Sequence, residues 1–572
     1  MEFFDYAWAT SFQITKKKHE DVKILVRNDV RFPLLGKDNY GYVICLPEPK
    51  EISSKEAEFQ GLRLKQNDET HQKILWQLFR ASVFHLSQHV ATSGYDLYSK
   101  WSKEKDPKLA LYVASLIEDA VVAAYAENFW SPFLPDVALA NAIAYLRLKP
   151  AQVLLDDSLR VMTAILSQFT LRKIKGSVSK EMQNDVNEVV AYLQEIKDFA
   201  GKMASQQKEA TAAERLNFLR RKLELADVMY RKLQRYGSPS VYCAMPHTEN
   251  YFQESVYRNS ISVTKDEFDH ALQMAFAAMN SKVFVDDSCE REASQAFTEW
   301  KGRKEREQKI IASYKEACAE TRFSAIEFPK EDYTEYLRSK LLLSSPIRRI
   351  LEKLRLLKNV TGEDFKHESG FIDLQEAIQV VASQSKRTDI FVREELQTRE
   401  EAWAVVIDAS HSLNFFTGEV RGVALCLAET AKNLIPDRTS WGMFAFSDKF
   451  YIIKDFSENY STRIRARIGG LKHGGLTYLA DGLAMIKDKL RQHLEESKMI
   501  IVVSDFFPSG DDKIKEELKQ SLRQIERAGF GLIGIGLKSR AVKDYLRVNC
   551  VVDSPYDLMK KFTKAFLEHS AS

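Results

Sequence analysis

Six cysteines are scattered through 572 residues, at Cys45, Cys243, Cys289, Cys318, Cys426 and Cys550, and no two form a C-x-x-C pair. That spacing excludes a zinc ribbon or a dithiol redox motif and leaves free thiols, which suit a reducing, cytoplasmic setting. Charge of one sign is not in excess: 83 Lys+Arg stand against 80 Asp+Glu, a net +3. Bulk electrostatic attraction to nucleic acid or to an anionic membrane therefore has no support. No long uninterrupted apolar run is present, so no membrane span is expected. The opening MEFFDYAWATSFQITKKKHED places its charges after its apolar part and is not expected to be a secretion signal. No G-x-x-x-x-G-K-[ST] occurs, so the chain is not a nucleotide-driven motor by that route.

What remains is 45% hydrophobic and 28% charged, the make-up of ordinary globular domains. Residues 1–54 hold two strand-like runs, VKILV and GYVICLP, separated by RFPLLGKDN, which reads as a turn. This stretch is expected to be a small β element. Residues 55–359 are expected to be helical, because runs such as HQKILWQLFRASVFHLSQHV repeat apolar residues every three or four positions. Within them, Met182 to Met203 and Leu216 to Leu233 form two regular seams joined by a polar segment. They predict a helical hairpin over 180–236, either a projecting arm or two helices of a bundle. YGSPSVYCAMPHTENYF (236–252) is expected to be a loop, and 360–399 a connector with one helix and one strand.

From 400 to 572 the rhythm changes. WAVVI, GMFAF, KMIIVVS and GFGLIGIGL are short apolar runs, and helix-like segments alternate with them. Strand–helix alternation of this kind predicts an α/β domain with a mainly parallel, covered sheet. Ligands bind such sheets beyond the carboxyl ends of the strands. Asp408 ends the first run, and Ser410 and Ser412 follow it. Thr477 follows a Gly-Gly pair ahead of a helix, and Asp505 ends the third run. Two carboxylates and three hydroxyls, without thiolate or imidazole, form a hard-cation set suited to Mg²⁺ or Mn²⁺. A helix cap alone would also explain an Asp-x-Ser-x-Ser stretch. The agreement of three segments in order favours the metal. Asp408 is expected on the rim of the domain, and Phe506 and Phe507 are read as an apolar, partner-binding rim around the ion.

The segment 400–572 resembles a von Willebrand factor A domain, and Asp408, Ser410, Ser412, Thr477 and Asp505 resemble its metal-ion-dependent adhesion site. The resemblance implies a Rossmann-like α/β fold, hence an α+α/β protein with a largely helical N-terminal region. It also implies that an acidic side chain of a partner completes the metal's coordination. LIEDAVVAAY (116–125) and the lead-in 369–410 resemble proteins of the NorD/CbbO type. That likeness implies a non-enzymatic adaptor working beside a MoxR-type AAA+ ATPase hexamer on a client metalloenzyme. A stand-alone docking module without a motor is the alternative.

His85 and His89 lie four residues apart, the spacing of two metal ligands on one helix face, with Glu118 as a third candidate on the next helix. A metal-dependent hydrolase is the least favoured reading, because Leu86 stands where H-E-x-x-H carries its general base.

Overall fold

The computed structural model describes the chain apart from residues 1, 54, 93, 206–210, 240–256, 258–264, 280–287, 318–320, 359–361, 368–370, 373, 375–376, 379, 381–387, 389–390, 396–400, 436, 496, 508–511 and 572. It divides into two compact units, residues 1–305 and 306–572.

The first unit opens with helix α1 (Phe3–Thr15), not with a strand. Strands β1 (Val22–Arg27), β2 (Leu34–Lys37) and β3 (Tyr42–Pro47) form one small sheet in the order β1-β3-β2. The segment expected to be a turn therefore contains β2. Its LLGK run is too short and too mixed to show alternation, and pairing with β3 makes it a strand. A second sheet, β4 (Lys50–Ser53), β5 (Glu56–Phe59) and β6 (Leu62–Lys65), is an antiparallel meander that runs past residue 54.

Helices follow: α2 (Glu69–Thr92), α3 (Tyr95–Trp101), α4 (Pro107–Phe129), α5 (Leu134–Arg147), α6 (Asp157–Leu171), α7 (Lys180–Ser205), α8 (Ala212–Gln234), α9 (Lys265–Ala278) and α10 (Ser288–Ala317). Asp106 caps α4 by accepting from Leu109 N at 2.9 Å, and Pro107 occupies its first turn. By length and composition α4 could cross a membrane, but most of it is buried among the other helices, as befits the core helix of a bundle. Helices α7 and α8 run antiparallel. Arg221 pairs with Glu195, Lys232 with Asp185 and Glu188, and Phe199 stacks on Phe218 with ring centres 5.1 Å apart. Their seams face inward: Met182, Val186, Val189, Leu193, Ile196 and Ala200 share a core with α4, so the pair belongs to the bundle and is not a free arm. Leu216 and Leu219 leave the seam for solvent at the start of α8.

The second unit is built on a seven-stranded mixed sheet in the order β16-β15-β14-β11-β12-β13-β7. Its members are β7 (Ile326–Glu327), β11 (Glu401–Asp408), β12 (Trp441–Phe446), β13 (Phe450–Lys454), β14 (Ser497–Ser504), β15 (Gly531–Leu537) and β16 (Asn549–Val552). Among the described residues the β12–β13 pair is the one antiparallel pairing of this sheet, so β13 and its parallel neighbour β7 run opposite to the other five strands. Alternate residues of β11 feed two cores. Trp403, Val405 and Ile407 face one, while Ala402, Ala404 and Val406 face the other. This two-sided burial explains why the strand reads as one continuous apolar run. The helices Thr417–Leu434 and Pro555–Ala571 cover the first face, and Leu479–Arg491 and Asp512–Arg527 the second.

Residues 306–358, expected within the helical region, contribute to this second unit. Strand β7 pairs with β13, and helices α11 (Tyr333–Leu342) and α12 (Ser344–Lys358) bury Tyr336, Leu343, Ile347, Ile350 and Leu354 against the first face. Apolar periodicity identifies a helix but not the surface it will cover. The short strands β8 (Gly362–His367), β9 (Phe371–Ile372) and β10 (Phe391–Glu395) form a separate sheet where the connector was expected. The expected loop lies outside the described residues from 240 to 252, as does most of the expected connector helix.

Candidate metal centre

Asp408 closes β11, and Ser504 closes the adjacent parallel strand β14, with Asp505 one residue beyond. Adjacent parallel strands bring their carboxyl ends together, so the two acids meet although 96 residues separate them. Asp408 Oδ1 accepts from Ser410 N at 2.9 Å, and Oδ2 accepts from Ser504 Oγ at 2.6 Å. Asp505 Oδ1 accepts from Phe507 N at 3.0 Å. The expectation that Asp408 sits on the rim needs correction. It is wholly buried, as are Ser410, Thr477 and Asp505 in large part, whereas Ser412 is exposed. Ser412 is thus the one candidate ligand open to solvent, and it marks the mouth of the site.

The Thr477 loop is tied to the Asp408 loop through the backbone. Gly474 N donates to Ala409 O at 2.8 Å, and His411 N donates to Gly475 O at 3.2 Å. Gly475 has φ +77°, and a Cβ there would fall on Asp448 Oδ1. The second glycine is therefore required both by its left-handed backbone and by the close approach of Asp448. Among the described residues Thr477 Oγ1 has no hydrogen-bond partner, which leaves the hydroxyl available to a ligand.

Burial pushes the Asp408 carboxyl up to about 6, opposed by its bonds to Ser410 and Ser504 and reinforced by the negative charge of Asp505. Two acids with this little solvent favour a cation between them. Ser410 Oγ and Ser412 Oγ are 3.0 Å apart. That is the separation of neighbouring ligands on an octahedral ion with bonds of about 2.1 Å. The donors present fit a hard divalent cation, and Asp408, Ser410, Ser412, Thr477 and Asp505 are the residues that would hold it.

The rim residues divide. Phe506 is buried, with φ +56° and its ring stacked on Tyr545 at 6.1 Å, so it belongs to the core and not to an apolar rim. Its left-handed turn is fixed by its N–H donating to Ser504 Oγ at 3.0 Å, and the turn sends Phe507 outward, 63% exposed. Phe415 and Leu476, 89% and 51% exposed, flank the same loops within three residues of Ser412 and Thr477. Sequence reasoning passed over both, as it did Ser504. Their signal was adjacency to ligand positions in loops, where a large apolar side chain has no core to enter.

In the first unit, His85 and His89 do come together, but with Asp119 and not with Glu118. Neighbouring residues on a helix point about 100° apart, so only one of the pair can face α2. Glu118 turns the other way and accepts from Tyr98 Oη at 2.7 Å and Lys222 Nζ at 2.6 Å, a buried ion pair.

No family model matches the chain, and no curated protein matches it. Among solved structures, it is similar to a von Willebrand factor type A protein from Catenulispora acidiphila, at 17% identity and a TM-score of 0.24, over 30% of this chain and 42% of that one. The chain thus spans less than half the length of that structure. It is also similar to the RO (RSR) protein of Deinococcus radiodurans, at 12% identity and a TM-score of 0.20, over 86% of this chain and 93% of the other.

Proposed function

We propose that the second unit is a metal-dependent protein-docking module. It holds Mg²⁺ or Mn²⁺ through Asp408, Ser410, Ser412, Thr477 and Asp505, and a partner's acidic side chain completes the coordination. The reading rests on one observation above all: a buried carboxylate pair and the Ser410 and Ser412 hydroxyls at the ends of adjacent strands, onto which the Thr477 loop is tied, with Phe415, Leu476 and Phe507 exposed beside them. Two carboxylates roughly neutralise a divalent ion, and neutral hydroxyls leave it electrophilic enough to take one more anionic oxygen. The apolar residues at the mouth would supply the contact area that a lone metal bond lacks. On this reading the protein is not an enzyme. A finer form makes it an adaptor that delivers the motion of a MoxR-type AAA+ ATPase to a client metalloenzyme, and only the sequence resemblance supports that form.

The test is a pull-down from native extract with wild type and Asp408→Ala, each in Mg²⁺ and in EDTA. Partners retained only by wild type in Mg²⁺ support docking through the metal, and an AAA+ ATPase among them supports the adaptor. The same partners in all four lanes would remove the metal site from the interaction.

A further inference from the structure

The buried cluster between α2 and α4 is unlike an ordinary packed histidine pair. His89 Nε2 lies 2.9 Å from His85 Nε2 and 3.0 Å from Asp119 Oδ1, and His85 Nε2 lies 3.2 Å from the same oxygen. The three atoms form a nearly equilateral triangle, with His89 fully buried and the other two nearly so. Each ring brings one Nε2 to it, so at most two N–H bonds serve three sides. One of the three close contacts is therefore left without a hydrogen bond. A single cation facing all three lone pairs removes that conflict.

The triangle also carries information about geometry. With bonds of about 2.1 Å, neighbouring ligands lie about 3.0 Å apart on an octahedron and about 3.4 Å apart on a tetrahedron. The observed sides match the octahedral face. Two imidazoles and one carboxylate on such a face suit Fe²⁺, Mn²⁺ or Co²⁺ and leave the opposite positions to other ligands.

Space for those ligands is present. His85 and Asp119 line a cavity of about 70 Å³, walled largely by apolar residues such as Phe84, Val122 and Phe169. A water needs roughly 10–15 Å³ of such space, so several fit. Asn141 also lines the cavity, and its Oδ1 is buried with no hydrogen-bond partner. A buried amide oxygen without a partner costs about 1–3 kcal/mol unless something in the cavity binds it. Water or a small ligand held in this cavity by a metal at the triangle would offer that oxygen a donor.

The geometry points to a second metal site, independent of the one at Asp408. His85, His89 and Asp119 bind one octahedral first-row divalent cation, whose remaining positions take water or a small oxygen or anionic ligand from the cavity. The site arises because positions 85 and 89 share one helix face and Asp119 is the residue of α4 turned toward it.

The test is a Co²⁺ titration of the full metal-free chain carrying Asp408→Ala, which removes the other site. The expected result is one equivalent bound, with the weak visible absorption of six-coordinate Co²⁺. Both should be lost on adding His85→Ala or the near-isosteric Asp119→Asn, with circular dichroism unchanged. Azide should perturb the spectrum if a position faces the cavity. Failure of the Asp408→Ala chain to take up Co²⁺ overturns the proposal without any further variant. So does uptake that survives both substitutions. Intense tetrahedral absorption overturns the octahedral assignment, and indifference to azide overturns the open position.

Discussion

Two sets of buried acids, one in each unit, are handled in opposite ways. In the α/β unit, Asp408 and Asp505 stand at strand ends, where like charges are pressed together beneath an open mouth. In the helical unit, Glu118 lies in mid-helix and is neutralised on the spot by Lys222 at 2.6 Å. One arrangement stores a need for a cation, and the other satisfies its charge from within the chain. A buried acid therefore signals ligand binding only where no basic partner accompanies it.

Four experiments would break or sharpen this contrast. The largest effect belongs to the internally neutralised pair. Lys222→Met leaves Glu118 buried without its cation and is expected to cost about 3–5 kcal/mol in urea unfolding. A loss under about 1 kcal/mol would mean that the pair is not what holds Glu118 in place.

Next comes the cation itself. At 100 times its dissociation constant, Mg²⁺ should stabilise the wild-type α/β unit by about 2.7 kcal/mol in thermal melts and leave Asp408→Ala unaffected. Below about pH 6 the proton competes for Asp408, so Mg²⁺ affinity should fall as pH drops through that value. Affinity that is flat down to pH 5 would contradict the burial argument.

A third experiment asks what the metal-free site costs. The folded Asp408 carboxyl lies near 6, above its ordinary value of 3.8. Its contribution to stability is complete below about pH 4 and is lost as pH rises through about 6. At pH 8 in EDTA, Asp408→Asn should therefore stabilise the chain, by about 1–3 kcal/mol, and the gain should vanish near pH 4. Destabilisation at pH 8 would show that the bonds to Ser410 and Ser504 outweigh the charge.

The smallest change in stability, and the cleanest separation of roles, is expected at the mouth. Phe415→Ser and Phe507→Ser should alter unfolding by no more than about 0.5 kcal/mol while weakening partner capture in Mg²⁺. Unchanged capture would leave the metal without its apolar surround.

Much of the α/β unit could be read from sequence because central parallel strands are buried on both faces and appear as unbroken apolar runs. WAVVI and KMIIVVS became β11 and β14, and their final acids became neighbours. Strand β13 and the edge strands β7 and β16 escaped notice because short segments acquire strand character from the partner they pair with. The boundary near 305 was hidden because α11 and α12 look like any amphipathic helix until the sheet they cover is known. Phe506 and Phe507 look equivalent in sequence, and a single left-handed residue sends one inward and the other out. The choice between Glu118 and Asp119 was similarly hidden, since it depends on how α4 is rotated in the bundle.

The bond from Ser504 to Asp408 joins residues 96 positions apart, and the Gly474–Gly475 loop closes onto the same place from a third part of the chain. No short segment can assemble this pocket, so an ion has nothing to grip until the centre of the sheet has come together. Its influence on folding is confined to the last step. The cation should lengthen the lifetime of the native unit while leaving its rate of formation nearly untouched, so that metal supply governs persistence more than maturation.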